Sequence, residues 1–323
     1  MMAASTENMD RTLYVLSGMT AVGKTSLALR WAEANNAEIL SCDSLLFYRG
    51  MDIGTAKPDA LERNRVPHHG IDLVEVEEQY NVDRYVAYAR AVIEDIHRRG
   101  FRVLITGGSG FYLKSFFAAV TDQALVSAEI RERVAHLYER GGNEAVLAAL
   151  EAVEGNDLSL IDTQNPRRTV AALERCWGSG LTLQAQRARF EALKSPFADY
   201  PKQTCILTRE REVMFERIEA RVRQMLNAGL IDEVSKLRSA GLERNPSAAR
   251  SIGYREVLTW LDAKEGGLEA LTEAIVVNTR RLARRQRTWL RHQISVDQWL
   301  DLDSVEESDA VDQLFAADSK SLG

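Results

Sequence analysis

The sequence predicts an α/β protein with a parallel sheet, because short apolar runs alternate with stretches of helical composition. The three clearest runs are Leu13–Leu16, Ala37–Cys42 and Phe101–Thr106, and helix-like segments separate them. With 323 residues, 45% of them hydrophobic, the chain is long enough to bury the core of such a fold. Ligands of parallel sheets bind beyond the carboxyl ends of the strands, so we expect the loops after these runs to open onto one crevice.

The loop after the first strand has the pattern G-x-x-x-x-G-K-[ST] and precedes a predicted helix over residues 26–35. Its eight residues are Gly18, Met19, Thr20, Ala21, Val22, Gly23, Lys24 and Thr25. Glycines let backbone N–H groups converge on phosphate oxygens, while Lys24 supplies positive charge and the Thr25 hydroxyl is a ligand for Mg²⁺. The pattern predicts a P-loop NTPase-like core, and it leaves open whether the bound phosphate belongs to a nucleotide.

The residue composition changes in the middle of the chain. Between about residues 121 and 201, Ala, Glu, Arg and Leu recur at helical spacing, which indicates an inserted all-helical subdomain. A strand predicted at 202–208 returns the chain to the sheet, so residues 1–120 and 202–300 form the core with a helical C-terminal part. The C-terminal helices are predicted at 211–228, 230–240, 253–262 and 268–295. Residues 301–323 are expected to form a short strand near Trp299 and a loosely held acidic tail.

Charge, cysteine content and hydropathy exclude several classes of protein. The chain carries 41 basic and 47 acidic residues, and the acidic excess lies in its last segment, which argues against a general nucleic-acid coat protein. Three cysteines without close spacing, Cys42, Cys176 and Cys205, argue against a disulfide framework. No segment approaches the roughly 20 apolar residues that span a bilayer. We therefore expect a soluble cytoplasmic protein with no membrane partner, and separately we expect it to be a monomer.

Asp43 stands where the second strand ends, at the mouth of the expected crevice. A carboxylate at this place can take a proton from a substrate or hold a metal ion. Local chemistry alone favours a helix or turn cap within Asp43-Ser44. The residues themselves leave these two interpretations open.

The run from Asp43 to Pro58 resembles the long signature of the tRNA dimethylallyltransferases, also called tRNA isopentenyltransferases. Further segments resemble that family in order and spacing, and they lie at 66–72, 107–113, 165–174, 211–234, 252–256 and 279–289. The resemblance extends from about Leu13 to Arg291. Single segments are weak signals, whereas the ordered set is highly specific.

The resemblance implies an activity and a role for each part of the crevice. Members transfer a dimethylallyl group from dimethylallyl diphosphate to the N6 amine of the adenosine 3′-adjacent to the anticodon, in the anticodon stem-loop of tRNAs reading codons that begin with U. The phosphate loop would then hold the diphosphate with Mg²⁺, and Asp43 would act as general base. Lys24, Thr25 and Arg211 are the other implied catalytic residues. An exposed Arg211 paired with Glu212 or Glu216 is the alternative for that residue.

The resemblance also implies contacts to tRNA, in part through the inserted subdomain. The implied residues are Asp43, Ser44, Leu45, Leu46, Ser109, Arg131, Arg167, Arg168, Thr169, Val170 and Ala171. Ser109 stands where the family usually has threonine, and both side chains offer a hydroxyl. Leu46 replaces a usual glutamine and Ala171 a usual arginine, so two polar groups of the family pattern are absent.

The predicted last helix carries six arginines between Thr279 and Arg291 and no acidic residue. At helical spacing Arg280, Arg284, Arg287 and Arg291 form one stripe. Such a stripe is often simply solvated. Six unpaired arginines repel one another unless an anion is near, and their forked side chains suit RNA phosphates, so we favour contact with tRNA.

Three alternatives accompany the main interpretation. An adenylate isopentenyltransferase would prenylate free AMP, ADP or ATP, but the helical insertion and the arginine stripe are not needed for a free nucleotide. A small-molecule kinase would hold ATP in the same loop and use Asp43 to activate a hydroxyl. A non-catalytic tRNA-binding paralogue is suggested by Leu46 and Ala171, and the presence of Lys24, Thr25 and Asp43 argues against it.

Overall fold

The computed structural model describes residues 10–121, 126–153, 155–263, 266–306 and 308–316. By packing, the chain divides into two compact units. The first contains the described residues up to Phe117 and those from Phe197 onward, and the second runs from Ala118 to Pro196. The sequence placed the insertion at 121–201.

Six strands form one parallel sheet in the order β3-β2-β4-β1-β5-β6. The strands are β1 (Leu13–Gly18), β2 (Ala37–Ser41), β3 (His68–His69), β4 (Arg102–Gly107), β5 (Lys202–Thr208) and β6 (Gln298–Asp301). Ser17 of β1 lies opposite Gly107 of β4, and Ser41 of β2 lies opposite Thr106, so the three carboxyl ends are level. The predicted α/β fold with a parallel sheet is confirmed.

Thirteen α-helices occur in the described residues. They are α1 (Lys24–Ala34), α2 (Ala60–Arg65), α3 (Val82–Arg98), α4 (Gly110–Lys114), α5 (Ala128–Glu151), α6 (Pro166–Ser179), α7 (Leu183–Glu191), α8 (Arg211–Asn227), α9 (Leu230–Ser239), α10 (Pro246–Ala249), α11 (Tyr254–Ala263), α12 (Leu268–Gln293) and α13 (Ala310–Gln313). Predicted helices of the first unit begin and end within two residues of these bounds. None of the described helices has the length and apolar character needed to cross a bilayer.

The central strand β1 is buried on both faces, as expected for a parallel sheet covered by helices. Leu13 and Val15 point into a cluster with Ile93 of α3, whereas Leu16 points into a cluster with Trp31 of α1. This alternation follows from the period of two in a strand. Each fully buried aliphatic side chain contributes about 1.5–3 kcal/mol, so the two clusters fix the sheet that carries the crevice.

The second unit has its own small core on α5, α6 and α7. Val134, Val146 and Leu150 of α5 are buried with Leu173 and Cys176 of α6. Helix α5 contains a kink at Gly142, whose φ of 61° is readily accessible to glycine. Asn165 caps the start of α6 by accepting a hydrogen bond from the Arg167 N–H.

The acidic C-terminal segment is packed rather than loosely held through residue 316, which corrects the expectation for that part. Ala310, Val311 and Leu314 are buried, and the ring of Phe315 lies 5.2 Å from Tyr14 and 5.0 Å from Trp31. The many acidic residues of this segment made its few apolar positions hard to identify in the sequence. Residues 307 and 317–323 of the predicted tail lie outside the described residues.

Candidate active site

A cavity of about 840 Å³ opens in the first unit beyond the carboxyl ends of β1, β2 and β4. The loops that follow these strands all line it, as expected, with Lys24, Asp43 and Ser109 among the lining residues. Gly107 makes the close approach possible: a Cβ there would lie 2.6 Å from the Cys42 sulfur and 2.9 Å from the Asp43 nitrogen. The predicted single crevice is therefore present.

The phosphate loop leads directly into α1. Gly23 precedes the helix with a φ of 113°, and no side chain caps the helix, so the first backbone N–H groups of α1 are available to an anion. The Lys24 ammonium donates hydrogen bonds to the carbonyls of Gly18 and Met19 at 2.9 and 2.8 Å. Burial lowers the pKa of Lys24 to about 8, and the Asp43 carboxylate opposes that shift. The loop thus concentrates positive charge and donors at one end of the cavity.

Asp43 both caps a turn and faces the cavity. Its Oδ1 accepts a hydrogen bond from the Leu45 N–H at 3.2 Å and one from the Ser109 hydroxyl at 3.3 Å. The Ser109 oxygen accepts in turn from the Ser44 N–H at 3.0 Å. The described residues donate hydrogen bonds to Oδ1 of Asp43 and none to its Oδ2, so Oδ2 is left for a substrate. The turn cap and the cavity role are therefore compatible, and the cap orients the carboxylate.

Arg211 does not line the cavity. It is exposed at the start of α8, and its guanidinium carbon lies 5.2 Å from the centre of the Phe215 ring. Arg217 and Arg221 line the cavity instead. Positions four apart share one helical face, and buried Ile218 and Val222 flank these arginines, which is the pattern that could have identified them.

Arg217, which is exposed, and Arg221, which is half-buried, are both hydrogen-bonded to backbone carbonyls of the cavity wall. Arg217 Nε donates to the Ala21 carbonyl at 2.8 Å, and Arg221 Nη2 donates to the Thr55 carbonyl at 3.4 Å. Burial lowers the pKa of Arg221, and Asp43 opposes the shift. Since guanidinium remains charged in proteins, Arg221 presents a poorly hydrated cation to the cavity.

The segment that carries Thr55 is held by Glu233 of α9. The Glu233 carboxylate accepts hydrogen bonds from the N–H groups of Asp52, Ile53 and Gly54 at 3.1, 2.7 and 3.1 Å. The Tyr254 hydroxyl donates to the same carboxylate at 2.6 Å. These contacts fix the end of the family signature against the helices and place its backbone along the cavity.

The charge of the cavity lining is strongly unbalanced. Among the lining residues there is one carboxylate, that of Asp43, and there are six strongly basic side chains: Lys24, Arg217, Arg221, Arg250, Arg255 and Arg285. Clefts lined by one sign of charge focus their field and concentrate counter-charged ligands. The cavity is therefore suited to polyanionic substrates that present one neutral group to Asp43.

The arginines predicted on the last helix have different environments. Arg284 and Arg287 are exposed, whereas Arg280 is half-buried over the Phe215 ring, with Nη2 3.5 Å from Glu219. Arg285, which the predicted stripe omitted, lines the cavity together with Trp289. Ser44, Leu45 and Leu46, all implied contacts to tRNA, line it as well.

The predicted tRNA contacts of the second unit fall into two groups. Arg131, Arg167 and Arg168 are exposed, so they are available to a partner. Val170 and Ala171 are half-buried. Thr169 is fully buried, and its hydroxyl is hydrogen-bonded to Asn143 and to the Pro166 carbonyl, so contact through this side chain was a wrong expectation.

Comparison with known proteins gives consistent results. The family model described as IPP transferase matches residues 46–293. A tRNA dimethylallyltransferase of Opitutus terrae is 53% identical over 296 residues, which cover 91% of this chain and 94% of that protein. The full-length tRNA isopentenylpyrophosphate transferase from Bacillus halodurans is 32% identical with a TM-score of 0.68 over 95% of both chains.

A second solved structure shares more of the backbone geometry. It is that of a eukaryotic dimethylallyltransferase acting on tRNA, 26% identical with a TM-score of 0.76. The match covers 90% of this chain and 73% of that one. The similarity thus extends over most of this chain.

Proposed function

The chain belongs to the IPP transferase family of tRNA prenyltransferases, and from this premise we propose that it prenylates the adenosine 3′-adjacent to the anticodon. The donor is dimethylallyl diphosphate, and the acceptor is the N6 amine in tRNAs reading codons that begin with U. One observation carries the proposal: a single cavity connects the phosphate loop to Asp43 and is otherwise lined by basic charge. A diphosphate at one end and an amine at the other fit that arrangement.

The phosphate loop holds the diphosphate as a leaving group. Backbone N–H groups at the start of α1, Lys24, Arg217 and Arg221 surround its oxygens, where negative charge grows as the allylic carbon–oxygen bond breaks. The N6 nitrogen forms the new bond to that carbon. Diphosphate leaves with the electron pair, so preorganised donors at this end lower the barrier.

Asp43 acts at the other end of the cavity. An adenine amine is a weak nucleophile, so it needs alignment with the allylic carbon and removal of one proton after attack. Ser109 and the Leu45 N–H hold Oδ1, and Oδ2 accepts the proton. The adenine has to leave its stack to reach this depth, as bases do in other nucleic-acid-modifying enzymes.

Mg²⁺ fits the phosphate end through shared ligands. Nowhere in the described residues do three or more His, Cys, Asp and Glu side chains gather to hold a metal ion. The Thr25 hydroxyl, on an exposed residue of the cavity lining, would ligate the ion together with diphosphate oxygens, an arrangement usual for Mg²⁺. Bound there, the ion would neutralise charge on the diphosphate.

The surface supports tRNA as the polyanionic partner. In the first unit, Arg284 and Arg287 on α12 are exposed and available to RNA phosphates. The second unit separately exposes Arg131 and Arg167, together with Arg168, which lies 3.5 Å from Asp162. We propose that the protein acts as a cytoplasmic monomer on this stem-loop. Its relatives act on tRNA by name, which favours tRNA over free adenine nucleotides or a kinase substrate.

A labelled-donor assay tests the proposal. Labelled dimethylallyl diphosphate and Mg²⁺ are incubated with unmodified tRNA, with AMP, or with ATP, and the products are digested to nucleosides. Label on adenosine from tRNA alone is the expected result. Label on the free nucleotide alone would identify an adenylate isopentenyltransferase, and no transfer to any acceptor would remove the proposed activity.

A further inference from the structure

Phe111 is an exposed aromatic side chain at the cavity. Phe111 is 55% exposed, and it is one of six large hydrophobic residues in the described part of the chain that are 38% exposed or more: Leu61, Phe111, Tyr138, Leu193, Leu268 and Trp299. Of these six, Phe111 alone lines the cavity. Exposure of an apolar ring to water is unfavourable, so covering the ring with another flat apolar surface releases free energy.

The backbone around Phe111 is held by several contacts, which fix the position of its Cα atom. Gly110 packs on Trp289 so closely that a Cβ would lie 2.6 Å from the indole ring. The Leu113 N–H donates to the Ser109 carbonyl at 3.0 Å, and the Leu113 side chain is buried. The neighbouring Tyr112 hydroxyl donates to the Tyr80 carbonyl at 3.0 Å. Helix α4 is therefore anchored on both sides of an outward Phe111.

The distance from Phe111 to the reacting carboxylate is limited by the chain itself. Ser109, whose hydroxyl donates to Asp43, is two residues earlier, so the Cα atoms of Ser109 and Phe111 are at most about 7 Å apart. An adenine whose amine reaches Asp43 lies inside the cavity. The next base along the strand then lies at the opening, where Phe111 is exposed.

We propose that Phe111 stacks on a base adjacent to the reactive adenosine. The proposal rests on the proposed function and adds a substrate contact to it. Extrusion of the adenosine removes a stacking neighbour from the flanking base, and the Phe111 ring replaces that neighbour. Aromatic rings accept any base face, so this contact adds affinity with little sequence preference, by about tenfold for one good stack.

The test compares ring and base removal. Binding of an anticodon stem-loop RNA is measured for wild type, Phe111→Leu and Phe111→Trp, with intact RNA and with RNA that is abasic at either nucleotide flanking the reactive adenosine. We expect Phe111→Leu to weaken binding of intact RNA about tenfold, and Phe111→Trp to bind like wild type. With one of the two abasic RNAs, Phe111→Leu and wild type should bind equally. The same loss on every RNA, or no loss on intact RNA, would overturn the stacking contact.

Controls separate this contact from folding and from the proposed activity. Leu61→Ala removes an even more exposed apolar side chain that does not line the cavity, and it should leave RNA affinity unchanged. Affinity for dimethylallyl diphosphate should be unchanged in Phe111→Leu. If wild type transfers no prenyl group to tRNA, the proposed function fails; if it does and Phe111→Leu binds RNA normally, only the stacking contact fails.

Discussion

Gln286 of α12 accepts a hydrogen bond from the Thr20 N–H of the phosphate loop at 2.9 Å. Its amide nitrogen donates to the Gly108 carbonyl at 3.1 Å. One side chain thus connects the helix that carries the arginines to the loops after β1 and β4. The shape of the phosphate site depends on a residue far away in sequence.

Replacing Gln286 by Ala should loosen the phosphate loop. Two hydrogen bonds with a net value of about 1 kcal/mol each are lost, so we expect the KM for dimethylallyl diphosphate to rise about tenfold or more. Steady-state kinetics with saturating tRNA measure this. Gln293→Ala on the same helix, which removes only the surface contact to Lys114, is the matched control and should change KM little. Equal KM values in both variants would contradict the role of Gln286 in shaping the phosphate site.

We expect opposite effects from replacing Arg221 and Arg211 of α8. Arg221→Ala removes a half-buried cation of the cavity lining and should weaken diphosphate binding at least tenfold, because charge-assisted hydrogen bonds are about twice as strong as neutral ones. Arg211→Ala removes an exposed side chain outside the cavity and should change binding less than about twofold. Calorimetric titration with inorganic pyrophosphate measures both. A larger loss in Arg211→Ala would restore the role that the sequence assigned to it.

Lys24 should make diphosphate binding depend on pH. With a pKa lowered to about 8 by burial, it carries its proton below that pH and loses it as the pH rises through that value. The anion prefers protonated Lys24, so pyrophosphate affinity should fall between about pH 7 and pH 9 in wild type. The control is Lys24→Arg, whose guanidinium stays charged over this pH range. Protonation of pyrophosphate itself affects both proteins equally, so any difference between their profiles comes from Lys24. Identical pH profiles for the two proteins would contradict the lowered pKa.

His97 should reduce stability in acid. Its ring is buried, and neither nitrogen has a hydrogen-bond partner among the described residues. Burial lowers its pKa below the ordinary 6.5, and Arg11 adds to the shift. Below about pH 6.5, His97 is protonated in the unfolded chain while it is still neutral in the folded chain. The free energy of unfolding therefore falls as the pH drops below about 6.5. Urea unfolding of wild type and His97→Leu at about pH 7.5 and 5.5 tests this: wild type should lose more stability, and parallel losses would exclude His97 as the cause.

Most of the sheet could be predicted from the sequence, because its strands are continuous apolar runs and its loops contain glycine. β3 could not, since His68–His69 pairs along only two residues and no periodicity exists at that length. The packed C-terminal segment was missed because seven acidic residues concealed the apolar positions of α13.

The site was predicted in its loops and less well on its helices. The P-loop, Asp43 and Ser109 follow strands, so their position depends on local sequence alone. Arg221 and Gln286 enter the cavity only because α8 and α12 pack over it, and Thr169 is hidden only because α6 packs on α5. Such contacts arise from tertiary packing, which cannot be predicted from the composition and residue spacing of the sequence.

The central claim is that Asp43 takes the proton from the adenosine amine, and single-turnover transfer by Asp43→Ala tests it most directly. With both substrates saturating, we expect binding of tRNA and diphosphate to persist while the rate of prenyl transfer falls by roughly 10²-fold or more. Asp43→Asn, which keeps a carbonyl oxygen for the Ser109 hydroxyl, should be nearly as slow. A transfer rate within a few-fold of wild type in either variant would contradict the account.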